Sequence, residues 1–181
     1  MPGYSIKRAA TLLAFGTALV AAPAAASAAS ATLKDTDGKE IGTVELKDMA
    51  ADGTLLSVEI TDLSAGTHAF HIHETGKCEP PFKSAGGHFN PDDDTHGYMT
   101  EDGPHAGDMP NITVPDSGKL TFEVYNSEVS VTEDEGLLED TEGYLFDDDG
   151  SAIVIHDGAD DYKSQPSGDA GNRIACGVIE K

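Results

Sequence analysis

Beyond its first 28 residues this chain nowhere sustains an apolar 3.6-residue period over a dozen positions. Short runs that alternate apolar and polar residues recur instead, each closed by a turn rich in Gly or Asp. Alternation with period two places one set of side chains on one face of a strand, so the chain is predicted to be β structure. The runs fall at 31–34, 40–46, 55–60, 68–74, 112–114, 119–125, 152–156 and 174–179. The first two flank Asp35-Thr36-Asp37-Gly38, where glycine can take a positive φ, and should form a hairpin. The runs 112–114 and 119–125 should form another around Pro115-Asp116-Ser117-Gly118. Eight short strands in about 150 residues suit an all-β sandwich or a small Greek-key barrel. Two long segments stand apart: 75–110, rich in Gly, Pro, Asp and His, and 130–150, with nine acids and no base. Loops of that length are uncommon unless they carry function.

The first residues read differently. Lys7 and Arg8 precede an apolar small-residue run that Pro23 breaks, and Ala26-Ser27-Ala28 follows. That order is a secretory signal peptide over residues 1–28, leaving a single domain over 29–181 in the periplasm or outside the cell. Thr11, Gly16, Thr17 and Pro23 weaken the run as a membrane span, so no membrane attachment is expected after cleavage. The leader holds two of the 11 basic residues and none of the 33 acidic ones, so the remaining 153 residues carry a net charge of −24. Such a chain does not bind nucleic acid, which needs a basic face, nor anionic lipid. Export also permits a disulfide between the two cysteines, Cys78 and Cys176, with two buried thiols as the rival state. A loop of that length would be worth up to ~4–5 kcal/mol on the chain-entropy estimate.

Five of the seven histidines lie within 71–105. His71 and His73 are two apart on a predicted strand and share a face. The long loop then supplies His88, His96, His105 and Asp108, three imidazoles and a carboxylate, which make a complete tetrahedral zinc set. His156 ends the run Ala152-Ile153-Val154-Ile155, so it leaves a strand at the sheet's rim.

These residues carry a family resemblance. His71-Ile72-His73-Glu74, Gly86-Gly87-His88-Phe89-Asn90-Pro91, His96-Gly97, His105-Ala106-Gly107-Asp108 and Gly171-Asn172-Arg173-Ile174-Ala175-Cys176-Gly177 occur in an order and spacing that resemble copper/zinc superoxide dismutases. The short stretch between His156 and Arg173 is similar to the exported bacterial members more than to the eukaryotic cytosolic ones. The resemblance implies an eight-stranded Greek-key β-barrel with the metals in loops outside it. It implies copper on His71, His73, His88 and His156, and zinc on His88, His96, His105 and Asp108, with His88 bridging the two. It implies that Arg173 attracts the anionic substrate, superoxide, beside copper, and that Cys78–Cys176 pins the metal loop to the last strand. Asp160 would accept hydrogen bonds from His71 and His96, and His68 would brace the loop without binding metal. The activity implied is dismutation of superoxide to oxygen and hydrogen peroxide, with His88 and Arg173 acting in turnover.

The short loop after His156 holds few cations, so substrate steering would fall to Arg173 with Lys83 and Lys77. The rival function is an exported copper and zinc binder that buffers or delivers metal without turnover. A homodimer is possible. Asp35-Thr36-Asp37-Gly38 and Asp147-Asp148-Asp149-Gly150 lack the alternating acids and distal Glu of calcium loops and read as solvated turns. Asn111-Ile112-Thr113 is a glycosylation sequon, meaningful only in a eukaryotic secretory host.

Overall fold

The structure, a computed structural model, describes residues 28–50, 52–133 and 143–181. Of the expected leader only Ala28 is therefore described, and the cleavage reading otherwise lies outside these residues. Among the described residues there are nine strands: β1 (Ala28–Asp35), β2 (Glu40–Asp48), β3 (Thr54–Ile60), β4 (Gly66–His68), β5 (Phe70–His73), β6 (Ile112–Val114), β7 (Leu120–Asn126), β8 (Ala152–His156) and β9 (Arg173–Glu180). Among the described residues the only helix is one 3-10 turn, Lys83–Ala85, and none is long and apolar enough to cross a membrane.

Seven strands form one antiparallel sheet in the order β5-β8-β9-β1-β2-β3-β7, and β4 pairs with β6 in a second. The connections are of Greek-key type. β9 returns to lie against β1, and β7 pairs with β3 only after the excursion through β4, β5 and β6. The β1–β2 hairpin turns where expected, with Gly38 at φ 82 and its N–H donating to Asp35 O. β1 and β3 then bury every second residue, and the inward set Ala29, Ala31, Leu33, Leu56, Val58 and Ile60 joins Phe70, Ile72, Ile153 and Ile155 in the main core. At about 25 cal/mol per Å² of apolar surface, this shared burial is what holds the sheet curled.

Two expectations need correction. The predicted strand 68–74 is two strands, because it changes partners at Ala69: β4 faces β6, β5 faces β8, and Ala69 itself bonds His156 and Gly158. Nine strands thus replace eight, within the same all-β fold. The second expected hairpin is also not paired as one. A turn does close from Gly118 N–H to Pro115 O, but β6 ladders with β4 and β7 with β3.

The edge of the large sheet matters most. β8 covers one side of β5, and the 75–110 loop covers the other. Ile72 N–H donates to Gly107 O, Phe89 N–H to Ile72 O, and Glu74 N–H to Gly87 O, at 2.9, 2.9 and 3.1 Å. His71 pairs with Asp108 and His73 with His88 as isolated bridges. Gly107 must be glycine here, because a Cβ would strike Ile72 O and Phe89 N. The loop is thus fastened to the strand that carries the first two histidines.

Candidate metal centre

The paired histidines sit on β5, His156 ends β8 two positions beyond Val154, the ladder partner of His71, and the loop laid along β5 supplies the rest. Two clusters result. The ligand atoms of His71, His73, His88 and His156 lie within 4.8 Å of one another, as do those of His88, His96, His105 and Asp108, and all seven residues are buried. His88 belongs to both.

In the first cluster, four ring nitrogens are buried without any hydrogen-bond partner: Nδ1 of His71 and Nε2 of His73, His88 and His156. One orphaned buried polar atom costs ~1–3 kcal/mol. Four facing one point form a ligand set, and four imidazole nitrogens suit copper. Each ring's other nitrogen is engaged. His71 Nε2–H donates to Asp160 Oδ2 at 2.9 Å, His73 Nδ1–H to Gly86 O at 3.1 Å, and His156 Nδ1–H to Gly171 O at 3.4 Å. These bonds fix the tautomers that leave the inward nitrogens bare.

The second cluster is built on Asp108. Its Oδ1 lies 2.7 Å from His88 Nδ1, 3.0 Å from His96 Nδ1 and 3.3 Å from His105 Nδ1. A tetrahedral zinc site with arms of ~2.0–2.1 Å has edges of ~3.3–3.4 Å, so these four atoms need only small adjustments to enclose the ion. Asp108 Oδ2 accepts from the backbone N–H of Gly97 and His105, which locks the carboxylate's rotation. Asp160 joins the clusters: its Oδ2 takes His71 and its Oδ1 takes His96 Nε2–H, the latter at 3.0 Å.

Without metal, protons respond to this crowding. Burial lowers His88 to about 4, with the His71 and His96 charges adding and Asp108 opposing. Burial lowers His156 to about 3, again with His71 adding, and pushes His73 well below its ordinary value. For His96 burial acts downward but is overcome by hydrogen bonds to Asp108 and Asp160, which raise it to about 9. Both carboxylates titrate well below their usual range; burial opposes this, and the histidine hydrogen bonds outweigh it. The pattern favours bare inward nitrogens on one side and an anionic Asp108 on the other, as metal binding requires.

Arg173 opens β9 opposite His156 in the ladder. Its Nη1 donates to Phe82 O at 2.7 Å and its Nη2 to Gly86 O at 2.6 Å. Gly86 O therefore serves both Arg173 and His73. That shared carbonyl and the ladder pairing with His156 place Arg173 beside the first cluster, where its charge adds to burial in lowering His73 and His156. Cys78 and Cys176 form a disulfide, Cα atoms 5.7 Å apart, that ties this loop to β9. Phe82 and Ala85 bury beneath it against Ala152, Val154 and Cys176 in a small second core. Phe82 sits at φ 68, an unusual conformation for a bulky residue, held by that packing.

His68 lies in neither cluster. Its Nδ1 meets His156 O at 2.8 Å and its Nε2 meets Ser64 O at 3.0 Å, so it ties the end of β8 to the 61–65 turn. Lys77 forms an ion pair with Glu79 at 3.1 Å, leaving Lys83 as the freer cation of the disulfide loop.

Four supports escaped the reading of the sequence. Glu74 Oε1 accepts Gly87 N–H beside His88 at 2.7 Å. Asn111 grips the main chain of Asp160 from both sides, Nδ2–H to Asp160 O and Oδ1 from Asp160 N–H, each at 2.8 Å. Gln165 grips His96 in the same manner. Gly168, at φ +70, leaves room where a Cβ would strike Asp160 Oδ1 and lie 2.7 Å from His96 Nε2. Glu74 and Gly87 stood in the quoted motifs without sign of their contact, and Asn111 and Gln165 grip partners in distant segments.

An antiparallel half-barrel whose sheet edge carries two buried metal-ligand clusters sharing one histidine defines a binuclear metalloprotein. The family model for copper/zinc superoxide dismutase matches residues 40–179, and the chain belongs to that family. It is 48% identical over 153 residues to Superoxide dismutase Cu-Zn 2 of Aquifex aeolicus, covering 83% of this chain and 85% of that one. It is 44% identical to Superoxide dismutase Cu-Zn of Caulobacter vibrioides, with 84% and 85% covered. A crystal structure of a SOD-like protein from Bacillus subtilis superposes with a TM-score of 0.75 at 36% identity, covering 82% of this chain and 96% of that one.

Proposed function

We propose that the protein dismutes superoxide, with copper held by His71, His73, His88 and His156 and zinc held by His88, His96, His105 and Asp108. One observation carries the reading: four partnerless buried ring nitrogens meet at one point, and one of their rings also faces an anionic second cluster. Copper bound there would supply a one-electron couple, so that two superoxide ions and two protons yield oxygen and hydrogen peroxide.

The chain's own residues do the remainder. Arg173 offers a fixed guanidinium to an anion; its two carbonyl bonds hold the plane while further N–H donors stay available. His88 is the one ring placed between the clusters. Its Nε2 has no hydrogen-bond partner, so when this nitrogen is not a ligand it can hold a proton and deliver it to reduced oxygen. Its Nδ1 stays aligned by Asp108, so the ring keeps its orientation. Asp160 fixes His71 and His96 together, and a closed zinc set serves as a structural clamp. A buffering or delivery protein has no need of an arginine so held, and Arg173 therefore favours turnover.

The exported location extends this reading. Cleavage after Ala28 would free a domain that starts at Ala29, the second residue of β1, and the disulfide suits an oxidising compartment. Intact mass of exported protein tests it; a retained leader would refute it. For the activity, superoxide decay should follow copper loading and vanish in Arg173- and His156-substituted protein to different degrees. Arg173→Ala keeps copper and loses rate, whereas His156→Ala loses copper itself.

A further inference from the structure

Two loops meet beyond the ligands. The 157–172 segment after β8 presses on the 90–108 loop at residues 96–99, where Met99 N–H donates to Tyr162 O at 3.0 Å. At the centre of that contact, the Gln165 amide faces the peptide of His96. Oε1 accepts the His96 N–H at 2.9 Å, and Nε2–H donates to His96 O at 2.9 Å. The remaining amide proton goes to Lys163 O at 3.1 Å, so all three polar positions of the side chain are directed. A glutamine on the surface ordinarily keeps its rotamer freedom, worth up to ~1.5–2 kcal/mol. Here that freedom is surrendered to hold one residue, and the residue held carries a ring bonded at both nitrogens, to Asp108 and to Asp160.

The peptide that joins His96 to Gly97 is also held within its own loop, where Asp108 Oδ2 accepts the Gly97 N–H at 2.8 Å, so Gln165 is the grip that reaches His96 from the other loop. Gly97 follows it at φ +100, a conformation without a side chain to stiffen it. The one other hold on its carbonyl is local, from Thr100 Oγ1 at 3.2 Å. Where the backbone goes, Nδ1 follows, and Nδ1 is the ligand atom of the second cluster.

We propose that Gln165 is a positioning residue that grips the main chain of His96 and thereby sets how tightly zinc is retained. The proposal rests on the assignment of zinc to His88, His96, His105 and Asp108. It involves no contact between Gln165 and metal, and it separates the two ions: the Gln165 amide bonds His96 and Lys163, and none of its hydrogen bonds goes to the copper-side rings His71, His73, His88 and His156.

The test uses full-length mature protein loaded with one copper and one zinc. Zinc and copper release are followed separately with chelating dyes in wild type, Gln165→Ala, Gln165→Glu and Asp108→Ala. Gln165→Ala should release zinc about tenfold faster, the low end of what an outer-shell partner governs, and copper within twofold of wild type. Gln165→Glu keeps the acceptor but sets a carboxylate against the His96 carbonyl, so it should release zinc at least as fast as the alanine variant. Cobalt(II) placed in the zinc site should show shifted visible bands in both, a change that mere loosening of a surface loop would not produce. Zinc release within twofold of wild type, or equal acceleration of both metals, overturns the role of Gln165. If Asp108→Ala loses zinc while Gln165→Ala does not, only this proposal fails; if Asp108→Ala retains zinc as wild type does, the zinc assignment fails and this proposal with it.

Discussion

Removing the Asp160 carboxylate should weaken both metals at once. Asp160 accepts from His71 on the copper side and His96 on the zinc side, at 2.9 and 3.0 Å, with its side chain almost wholly buried. Each is a charge-assisted bond of ~1.5–3 kcal/mol. Loss of such a partner from a ligating histidine lowers metal affinity ~10–100-fold, which is ~1.4–2.8 kcal/mol and agrees with that range. Asp160→Ala should therefore lower copper and zinc affinity by about that factor each. The backbone stays in place because Asn111 grips the Asp160 peptide independently of its side chain. Asp160→Asn offers one oxygen and one NH2 group, so one ring keeps an acceptor while the other meets a donor. In that variant one metal should weaken fully and the other much less. Competitive chelator titrations with each metal measure this. Loss of a single metal in Asp160→Ala, or less than threefold loss of both, would refute the bridging role.

Stability of the metal-free protein should peak near neutral pH, read from thermal melts across pH. His96, raised to about 9, stabilises the fold fully below the ordinary imidazole value of 6.5 and loses that contribution as pH rises toward 9. His88 and His156, lowered to about 4 and about 3, act oppositely: their contribution is complete above 6.5 and is lost as pH falls toward those values. Monotonic stability from pH 5 to 9 would contradict the assignments. Cys176→Ser should release the loop that carries the Arg173 acceptors, lowering the melting point and kcat/KM together; unchanged kcat/KM would separate the disulfide from Arg173. The charge of −24 on residues 29–181 should repel superoxide at long range, so kcat/KM should stay flat or rise as salt screens beyond the ~10 Å Debye length at 0.1 M. Lys83→Glu, next to the Phe82 carbonyl that holds Arg173, should slow the reaction several-fold at low salt and less at high salt; a steep fall of wild type with salt would refute the repulsive field.

Much of the fold was legible because alternation is local. β1, β2, β3 and β7 lie where short alternating runs put them, and β8 and β9 where short apolar runs bounded by polar turns do. The failures have a common cause, which is partner choice. Nothing near Ala69 announces that one run will ladder with β6 before it and β8 after it, and the turn at 115–118 has hairpin chemistry without hairpin pairing. The residues that gather into the two clusters were singled out beforehand, the loop set by its three imidazoles and one carboxylate and the copper set through the family resemblance. Of their supports, Asp160 and His68 came with the resemblance, and others did not. Gln165, Asn111 and Gly168 act through contacts across 69, 49 and 72 positions, respectively, with His96, Asp160 and His96 again, and no local pattern encodes such contacts.

The central claim is that four imidazoles including His156 hold a redox-active copper beside a zinc site that does not depend on His156. Superoxide decay measured by stopped flow on mature protein and its His156→Ala variant, both loaded identically and assayed for metal content, tests it most directly. The account predicts rapid, copper-dependent decay in wild type, and in His156→Ala loss of copper and of activity with zinc retained. Full activity in His156→Ala, or wild-type protein that binds both metals and leaves superoxide untouched, would contradict it.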